Sequence, residues 1–398
     1  MKVRVPGDKS ISQRALILAA MAEGESRVRG LLPSADPRST AAALRALGAG
    51  IPPLPGDGAS IQIQGVGLHG MKAPTEPLDL GNSGTGARLL LGVLAGQPFR
   101  TVVTGDDSLR SRPMARVTDP LESMGAVFEF LDTRGRLPLA VGPCPGLQGI
   151  DLDLPVASAQ VKSALLLAGV VAGVPVLLSE PGPSRDHTER MLNAAGATVL
   201  RHVRDSGWRV ELRDPPPRLA PLDLDVPGDP SSAAFLVLAA LLGVGPGEVE
   251  VEGVGLNPTR TGFLELLRRM GGQVEAIPGV PQAGEPAGSV RARASRLRGI
   301  EVGGDEVVRA IDELPVVAVA AARAAGTTRI TGAGELRVKE TDRIRALARN
   351  LQAVGVACRE LSDGLEIEGT DGPLRGDVDA FNDHRIAMVF GVLAAQGG

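Results

Sequence analysis

Apolar positions recur with helical spacing in six stretches of the chain. In the first stretch, the stripe at 3.6-residue spacing consists of Ile11, Ala15, Leu18 and Ala22. Each of the six places small or polar residues before an Ala-, Leu- and Val-rich run that ends near Gly. The five later stretches lie about 70 to 85 residues apart and begin at Gly81, Ala157, Gly228, Ile311 and Phe381. This self-similarity predicts six buried helices built from one repeated unit.

Each helical stretch is followed by a second half-unit. It consists of a short β-like run, a polar loop and an amphipathic helix that ends near "GA" or "GG". Alternating strand-like runs, such as "SIQIQG" (60–65) and "GWRVELR" (207–213), lie between the units. The pattern therefore predicts a βαβαββ unit repeated six times. The longest apolar stretch (164–178) predicts a buried helix that runs into a strand, because it is too short to span a membrane and contains Gly and Pro.

Composition limits the class of protein. A chain of 398 residues is too long for one ordinary core and predicts two domains. The net charge of −4 and the isoelectric point of about 5.7 argue against a nucleic-acid partner. The two cysteines, Cys144 and Cys358, lack metal-type spacing and indicate a reduced, cytoplasmic setting without a structural metal. Because the first motif begins within ten residues of Met1, we expect no signal or transit peptide.

The start of the first helix carries candidate anion-binding chemistry. Asp8 or Ser10 can cap its free N–H groups, and these groups together with the helix dipole favour an anion. Lys9 and Arg14 would strengthen such a site, and Ser10 and Arg14 share one face of the helix. The alternative is a capped helix with solvated charges. The six helix starts, three per domain, predict a shared cleft that attracts phosphate and carboxylate.

The densest charge cluster is "RVKETDRIRAL" (337–347). Lys339 and Arg343 are four residues apart, which predicts that they share one helix face, and neighbouring cations would keep Glu340 ionised. Lys339 is one of five lysines in the chain, which weakens the alternative of a solvated helix end. In "IDELP", Asp312 precedes an apolar helix. It can serve as a helix cap, as a general base, or as both.

Three further motifs have ordinary alternatives. Capping by Asn382 or Asp383 accounts for part of "FNDHRIAM" (381–388), but it leaves Arg385 unexplained. The stretch "GDDSLRSRPM" (105–114) is predicted as a polar loop that carries two arginines, Arg110 and Arg112. In "RDHTE", the spacing of His187 and Glu189 fits no helical pair of metal ligands. P-loop, dinucleotide and G-x-S-x-G motifs are absent from the sequence.

Taken together, these strings resemble the 5-enolpyruvylshikimate-3-phosphate synthase family, the 3-phosphoshikimate 1-carboxyvinyltransferases. The matching strings follow family order along nearly the whole chain and are "PGDKSISQRAL", "GNSGTGARLL", "SLRSRPM", "SAQVKSALLLA", "RDHTERML", "GDPSSAAF", "RVKETDRI" and "FNDHRIAM". The resemblance implies an α/β (α+β) fold with two lobes that close over the substrates, an inside-out α/β barrel with three βαβαββ repeats per lobe. The implied lobes are 10–227, and 1–9 together with 228–398.

The resemblance also implies the reaction. The family joins phosphoenolpyruvate to the 5-hydroxyl of shikimate 3-phosphate and releases phosphate, by addition and elimination through a tetrahedral intermediate, without metal or organic cofactor. The implied catalytic residues are Asp312, Glu340 and Lys9. The implied contacts of shikimate 3-phosphate are Lys9, Ser10, Arg14, Ser158, Gln160, Asp312 and Lys339. The implied contacts of phosphoenolpyruvate are Lys9, Gly84, Arg112, Gln160, Arg343 and Arg385. We expect a cytoplasmic monomer whose partners are these two small molecules, with no nucleic acid and no membrane.

The chain departs from the family pattern at its end. Family members continue past the last repeat with a strand, a helix and a Lys that contacts phosphoenolpyruvate, whereas this sequence ends at "GVLAAQGG". Either the sequence is truncated or the protein has lost part of its C-terminal lobe, and in the latter case a non-catalytic anion-binding module is an alternative function. The related transferase that acts on UDP-N-acetylglucosamine is a second alternative. It typically has a Cys in the loop corresponding to "SLRSRPM", and this chain has none there.

Overall fold

The computed structural model describes residues 1–204 and 207–397. The chain divides into two compact units. The N-terminal unit comprises Pro6–Pro227 and Pro281–Glu285, and the C-terminal unit comprises Met1–Val5, Gly228–Val280 and Pro286–Gly398. Residues 6–9 thus group with the N-terminal unit, four residues earlier than the expected lobe begins. The predicted lobe bounds and the six-fold repeat stay predictions.

The N-terminal unit contains seven helices among the described residues. They are α1 (Lys9–Met21), α2 (Ala35–Ala46), α3 (Gly84–Ala95), α4 (Asp107–Ser111), α5 (Ala115–Ser123), α6 (Ala159–Ala172) and α7 (His187–Ala194). Its strands are β2 (Glu23–Arg29), β3 (Ile61–Val66), β4 (Leu78–Asp79), β5 (Thr101–Thr104), β6 (Phe128–Phe130), β7 (Leu139–Val141), β8 (Ile150–Asp153), β9 (Val176–Glu180), β10 (Val199–Arg204), β11 (Gly207–Leu212) and β12 (Asp223–Asp225).

The C-terminal unit has a similar mixture of elements. Its helices are α8 (Pro230–Leu241), α9 (Gly262–Arg269), α10 (Asp305–Ala310), α11 (Leu314–Ala322), α12 (Arg343–Ala353) and α13 (His384–Gly397), with a 3-10 helix at Gly334–Val338. Its strands are β1 (Lys2–Arg4), β13 (Glu248–Gly255), β14 (Gln273–Pro278), β15 (Ala287–Arg293), β16 (Glu301–Val302), β17 (Thr327–Ile330), β18 (Ala357–Leu361) and β19 (Gly364–Glu368). None of the helices in the described part of the chain has the length and apolar character that crossing a membrane requires.

The strands of the described residues form five sheets with one recurring topology. The four-stranded sheets have the orders β4-β5-β7-β6, β8-β9-β11-β10, β16-β17-β19-β18 and β1-β13-β15-β14. In each of them the first pair is parallel and the next two pairs are antiparallel. The three-stranded sheet β12-β2-β3 begins with the same parallel and antiparallel pairs. The mixed α/β fold class is confirmed.

Each unit has its own apolar core, and the six predicted helices form much of both. The cores contain α1, α3 and α6 in the N-terminal unit and α8, α11 and α13 in the C-terminal unit. Helices α3 and α6 approach so closely that a Cβ on Gly92 would lie 2.1 Å from the carbonyl oxygen of Ala164. The predicted helix-to-strand stretch at 164–178 is confirmed, since α6 is followed by β9.

Candidate active site

The start of α1 presents Lys9 beside an occupied helix cap. The Asp8 carboxylate accepts a hydrogen bond from the Ile11 amide at 2.9 Å, so Asp8 rather than Ser10 is the capping side chain. Lys9 follows as the first helical residue. Its side chain is 44% exposed and its Nζ lies 3.1 Å from Asp36 Oδ2. Lys9 therefore adds a solvent-accessible positive charge to the N-terminal end of a helix dipole, which favours an anion there.

Arg14 lies one turn further along α1, buried and held by three donated hydrogen bonds. Nη1 donates to the Ser10 carbonyl at 3.0 Å, Nε to Thr188 Oγ1 at 2.8 Å, and Nη2 to Ser163 Oγ at 3.1 Å. Burial lowers the pKa of the guanidinium to about 10, although nearby carboxylates, first that of Glu189, oppose the shift. Arg14 thus stays cationic at neutral pH with a fixed orientation.

The start of α3 brings two guanidinium groups to one glycine. A Cβ on Gly84 would lie 3.1 Å from Arg112 Nη1 and 3.3 Å from Arg88 Nη1. Arg112 also donates to Asn82 Oδ1 and, at 3.2 Å, to Ser108 Oγ. Because glycine leaves this space free, an anion can approach the Gly84 backbone between cationic side chains.

Gln160, in the first turn of α6, is oriented by the same cluster. Its Oε1 accepts a hydrogen bond from Arg88 Nη1 at 2.7 Å, and its Nε2 donates to Thr85 Oγ1 at 2.9 Å. Ser158 occupies the cap position of α6 without a side-chain capping bond. Sequence reasoning missed Arg88, although its position four residues after Gly84 on one helix face was a usable signal. We call Lys9, Ser10, Arg14, Gly84, Arg88, Arg112, Ser158 and Gln160 the N-terminal cluster.

The stretch that carries Arg112 is partly helical. The sequence predicted a polar loop over 105–114, but the structure contains the short helix α4 there. The reason is the Asp106 carboxylate, which accepts a hydrogen bond from the Leu109 amide at 2.7 Å and caps the turn. Arg112 follows as the first residue after α4, in extended backbone. The prediction of a plain loop was therefore wrong.

In the C-terminal unit, Arg343 lies at the centre of an acidic set of partners. It is 1% exposed, and its Nε donates to Asp383 Oδ2 at 2.7 Å while Nη2 donates to Glu340 Oε2 at 2.6 Å. Its Nη1 lies 3.6 Å from Asp312 Oδ1. The same Asp312 oxygen is 3.9 Å from Lys339 Nζ. The Asp312 carboxylate therefore lies between two cations, while the cap position of α11, which the sequence offered to Asp312, is occupied by Glu313.

The backbone conformation that places Lys339 near Asp312 differs from the predicted helix. Lys339 follows the 3-10 helix in extended backbone, and α12 begins only at Arg343. Asp342 sets this start, because its carboxylate accepts a hydrogen bond from the Arg345 amide at 3.1 Å. The expectation that Lys339 and Arg343 share a helix face was wrong. The two side chains nevertheless approach one carboxylate oxygen from different backbone segments.

Arg385 is held at the start of α13 by partners from distant segments. Its Nη1 donates to the Asp312 carbonyl at 2.9 Å, and its Nη2 donates to Ser231 Oγ at 3.1 Å. Glu313 Oε1 lies 3.5 Å from Nη1 and also accepts a hydrogen bond from Ser231. Burial lowers the pKa of Arg385, but the Asp312, Glu313 and Asp229 charges outweigh it and raise the pKa overall. Arg385 is thereby fixed as a cation.

Backbone geometry supports this placement of Arg385. Asp383 caps α13 by accepting from the Arg385 amide at 2.9 Å, so of the two predicted caps the aspartate is the one observed. Phe381 and Asn382 precede it with φ of 51° and 56°. Such left-handed conformations cost free energy in non-glycine residues and cluster at functional sites. We call Asp312, Lys339, Glu340, Arg343, Asp383 and Arg385 the C-terminal cluster.

The Glu340 and Asp383 carboxyl groups beside Arg343 are ionised at neutral pH. Burial raises the pKa of Glu340, but the Arg343 charge and a backbone hydrogen bond outweigh it, so the pKa lies below its usual value. Burial likewise raises the pKa of Asp383, and the hydrogen bond from Arg343 reverses that shift. The prediction that neighbouring cations keep Glu340 ionised is confirmed.

His187 and Glu189 have other partners in the structure. His187 Nδ1 is 2.8 Å from Glu285 Oε1, and the Glu189 carboxylate is 2.8 Å from Lys162 Nζ. Lys162 also pairs with Glu180 at 2.7 Å, and both of these side chains are fully buried. Of these groups, the Glu189 and Glu285 carboxylates act by their charge on Arg14.

Comparison with known proteins decides the family. The family model described as EPSP synthase (3-phosphoshikimate 1-carboxyvinyltransferase) matches residues 1–398. The chain belongs to the EPSP synthase family. A relative from Synechococcus sp. (strain JA-3-3Ab), named 3-phosphoshikimate 1-carboxyvinyltransferase, is 51% identical over 100% of this chain and 88% of its own length.

Solved structures place the fold in the same family. An EPSP synthase from Acinetobacter baumannii has a TM-score of 0.89 and 42% identity, over 100% of this chain and 89% of that one. The enolpyruvyl transferase NikO from Streptomyces tendae has a TM-score of 0.73 at 21% identity, over 100% and 88% of the two chains, and supports the fold alone. The resemblance drawn from the sequence motifs and the two-lobed α/β fold class of an EPSP synthase are confirmed.

Proposed function

We propose that the chain transfers the enolpyruvyl group of phosphoenolpyruvate to the 5-hydroxyl of shikimate 3-phosphate and releases phosphate. This is the activity of a 3-phosphoshikimate 1-carboxyvinyltransferase. The observation that carries the proposal is the Asp312 carboxylate, which lies within 4 Å of both Lys339 and Arg343. The match of the family model to the whole chain supports the same conclusion.

In the proposed reaction, the C-terminal cluster handles protons. Asp312 accepts the proton of the attacking 5-hydroxyl as its oxygen bonds to C2 of phosphoenolpyruvate. Glu340 delivers a proton to the methylene carbon, which gives a tetrahedral intermediate. Glu340 then takes a proton back from the new methyl group as the C–O bond to phosphate breaks. The proton that Asp312 took from the hydroxyl passes to the departing phosphate, which leaves as hydrogen phosphate and restores the Asp312 carboxylate. Because Glu340 rests as a carboxylate beside Arg343, it must take up a proton before it can deliver one.

The cations of both clusters have proposed roles in binding the substrates. Phosphoenolpyruvate carries a phosphate and a carboxylate, which guanidinium groups bind bidentately. We assign it to Arg112, Arg343, Arg385, Gln160, Lys9 and the backbone at Gly84. We assign shikimate 3-phosphate to Lys9, Ser10, Arg14, Ser158, Gln160, Lys339 and Asp312. The fixed orientation of Arg14, Arg343 and Arg385 supports these roles, since oriented donors lose little entropy on binding.

The test of this function measures phosphate release with both substrates. Wild type is expected to release phosphate only when shikimate 3-phosphate and phosphoenolpyruvate are both present, and UDP-N-acetylglucosamine is expected not to replace the former. Asp312→Asn keeps the shape of the side chain but removes its basicity, so we expect turnover to fall by about 100-fold or more. Calorimetric titration should show that the variant still binds shikimate 3-phosphate. Near-normal turnover by the variant would remove Asp312 from its role.

We also propose that the chain acts as a cytoplasmic monomer. Every residue of both clusters belongs to one chain, and its two cysteines are free thiols in the structure. Burial raises the pKa of Cys358 to about 12, which makes this thiol unreactive. Light scattering after size-exclusion chromatography should give a mass of 41.0 kDa. A dimer mass would contradict the monomer.

A further inference from the structure

A short hairpin tip lies against α7, the helix whose Thr188 accepts a hydrogen bond from Arg14. Strands β14 and β15 pair in the C-terminal unit, but the tip between them, Pro281–Glu285, groups with the N-terminal unit. Glu285 is 1% exposed, and its Oε1 lies 2.8 Å from His187 Nδ1. The Gly284 carbonyl accepts a hydrogen bond from Arg190 Nη1 at 3.3 Å. The tip therefore contacts two positions of α7, three residues apart.

The first turn of α7 connects this contact to Arg14. Thr188 follows His187 directly, and its hydroxyl accepts the 2.8 Å hydrogen bond from Arg14 Nε. The same hydroxyl donates to Ser163 Oγ at 2.6 Å, and Ser163 accepts from Arg14 Nη2 at 3.1 Å. All of these side chains are buried. A shift at the start of α7 would therefore displace the Thr188 hydroxyl and weaken its hydrogen bond to Ser163, the other side-chain acceptor of the guanidinium.

The Glu285 carboxylate also acts on Arg14 by its charge. A buried guanidinium loses hydration, which lowers its pKa, and nearby carboxylates restore part of the stability of the cation. Glu189, Asp8 and Glu285 are the carboxylates that do so here. Glu189 is itself paired with Lys162 at 2.8 Å. The hairpin tip thus supplies one of the charges that keep Arg14 protonated.

We propose that Glu285 is a positioning residue for Arg14, acting through His187 and Thr188. It fixes the first turn of α7 and thereby the hydroxyl acceptors that aim the guanidinium at an anionic ligand. The inference rests on the proposed function, in which that ligand is shikimate 3-phosphate. Glu285 lies 98 residues from His187 and belongs to none of the motifs that mark the family in this sequence, so the contact emerges only from the fold.

The test compares variants of the residues that connect the hairpin tip to Arg14. Calorimetric titration of the full chain with shikimate 3-phosphate should show about tenfold weaker binding for Glu285→Ala and for Thr188→Val, the loss expected for one buried hydrogen bond. Glu285→Gln keeps an acceptor for His187 but loses the charge, so we expect about threefold weaker binding. Thr188→Ser keeps the hydroxyl and should restore nearly wild-type affinity. In steady-state assays, the KM for shikimate 3-phosphate should rise while the KM for phosphoenolpyruvate and kcat stay unchanged.

A control variant on the same tip distinguishes a positioning role of Glu285 from a general destabilisation of the hairpin tip. The Gln282 side chain accepts a hydrogen bond from the Asp225 amide at 3.4 Å, away from α7, so Gln282→Ala should bind like wild type. A folded Glu285→Ala variant that binds shikimate 3-phosphate with wild-type affinity would overturn the proposal. An equal rise in the KM values for shikimate 3-phosphate and phosphoenolpyruvate would also overturn it. If Glu285→Ala does not fold, wild-type binding by Glu285→Gln overturns it instead. Binding is measured without turnover, so the two proposals can fail separately. If the proposed reaction were wrong, wild type would bind shikimate 3-phosphate but release no phosphate.

Discussion

Asp383 is the fully buried carboxylate that pairs with the Arg343 guanidinium. Their hydrogen bond of 2.7 Å is buried, with the two side chains 1% and 0% exposed. Removing one partner of such a pair leaves the other charge buried and poorly compensated. We expect Asp383→Asn to raise the KM for phosphoenolpyruvate about thirtyfold while the KM for shikimate 3-phosphate changes little. Steady-state kinetics with each substrate varied in turn measures both values.

The matched control for Asp383 is Glu366→Gln in the same unit. Glu366 also pairs with an arginine, at 2.9 Å from Arg359, but that arginine is 64% exposed. An exposed pair contributes little, so both KM values should equal those of wild type. An Asp383→Asn variant indistinguishable from Glu366→Gln would show that Arg343 needs no buried partner.

Single residues were predicted from the sequence where the signal was local. Lys9, Arg14 and Asp312 stand at helix starts with spacing that indicates anion or acid–base chemistry, and the structure places cations or acids beside each of them. Glu313 and Ser231 were missed because Arg385 lies 72 and 154 residues from them, and no sequence pattern reports such contacts. The sequence therefore predicts the residues that carry charge better than the residues that hold them in place.

At the scale of elements, the close crossing of α3 and α6 is sensitive to a single substitution. A Cβ on Gly92 would lie 2.1 Å from the Ala164 carbonyl oxygen, well inside van der Waals contact, so the helices must separate or tilt. We expect Gly92→Ala to lower the free energy of unfolding by about 1–3 kcal/mol, the usual cost of overpacking. Urea unfolding followed by circular dichroism measures this.

Gly391 in α13 is the control for Gly92, because a side chain added there has free space. It is exposed, and no atom lies within 4 Å of a Cβ built there. Alanine favours a helix interior over glycine by up to about 1 kcal/mol, so Gly391→Ala should leave stability unchanged or raise it. If both substitutions lowered stability equally, the close approach of α3 and α6 would not be the cause.

Element types were predictable, but their exact starts were not. The six apolar helices follow from the 3.6-residue pattern, because each must bury a wide stripe of small apolar residues. The start of α12 and the presence of α4 depend instead on one capping carboxylate each, from Asp342 and Asp106. Since Asp and Asn occur at many positions that could act as caps, the sequence could not indicate which of them would define a helix boundary.

At the scale of the whole molecule, each unit contains carboxyl groups that the fold holds in the charged form. In the C-terminal unit, burial raises the pKa of Glu340 and Asp383, but Arg343 lowers both overall. In the N-terminal unit, hydrogen bonds from Arg209 and Arg213 lower the pKa of Asp151 and Glu211. A carboxyl group with a lowered pKa binds fewer protons in the folded than in the unfolded chain. Its contribution to stability is present above the unfolded value and is lost as the pH falls through the folded value.

These carboxyl groups should therefore destabilise the whole chain in acid, starting near their unfolded pKa values of 3.8 for Asp and 4.5 for Glu. We expect the free energy of unfolding to fall slightly as the pH drops below 6.5, because burial lowers the pKa of His384, and to fall steeply from pH 4.5 to 3, as measured by urea unfolding at each pH. In Asp383→Asn the fall should be shallower, because one carboxyl with a lowered pKa is gone, and stability at pH 7 should already be lower. A free energy of unfolding that rises or stays constant below pH 4.5 would contradict the assignment of these groups. A fall of equal slope in the variant would show that the Arg343–Asp383 pair contributes nothing to it.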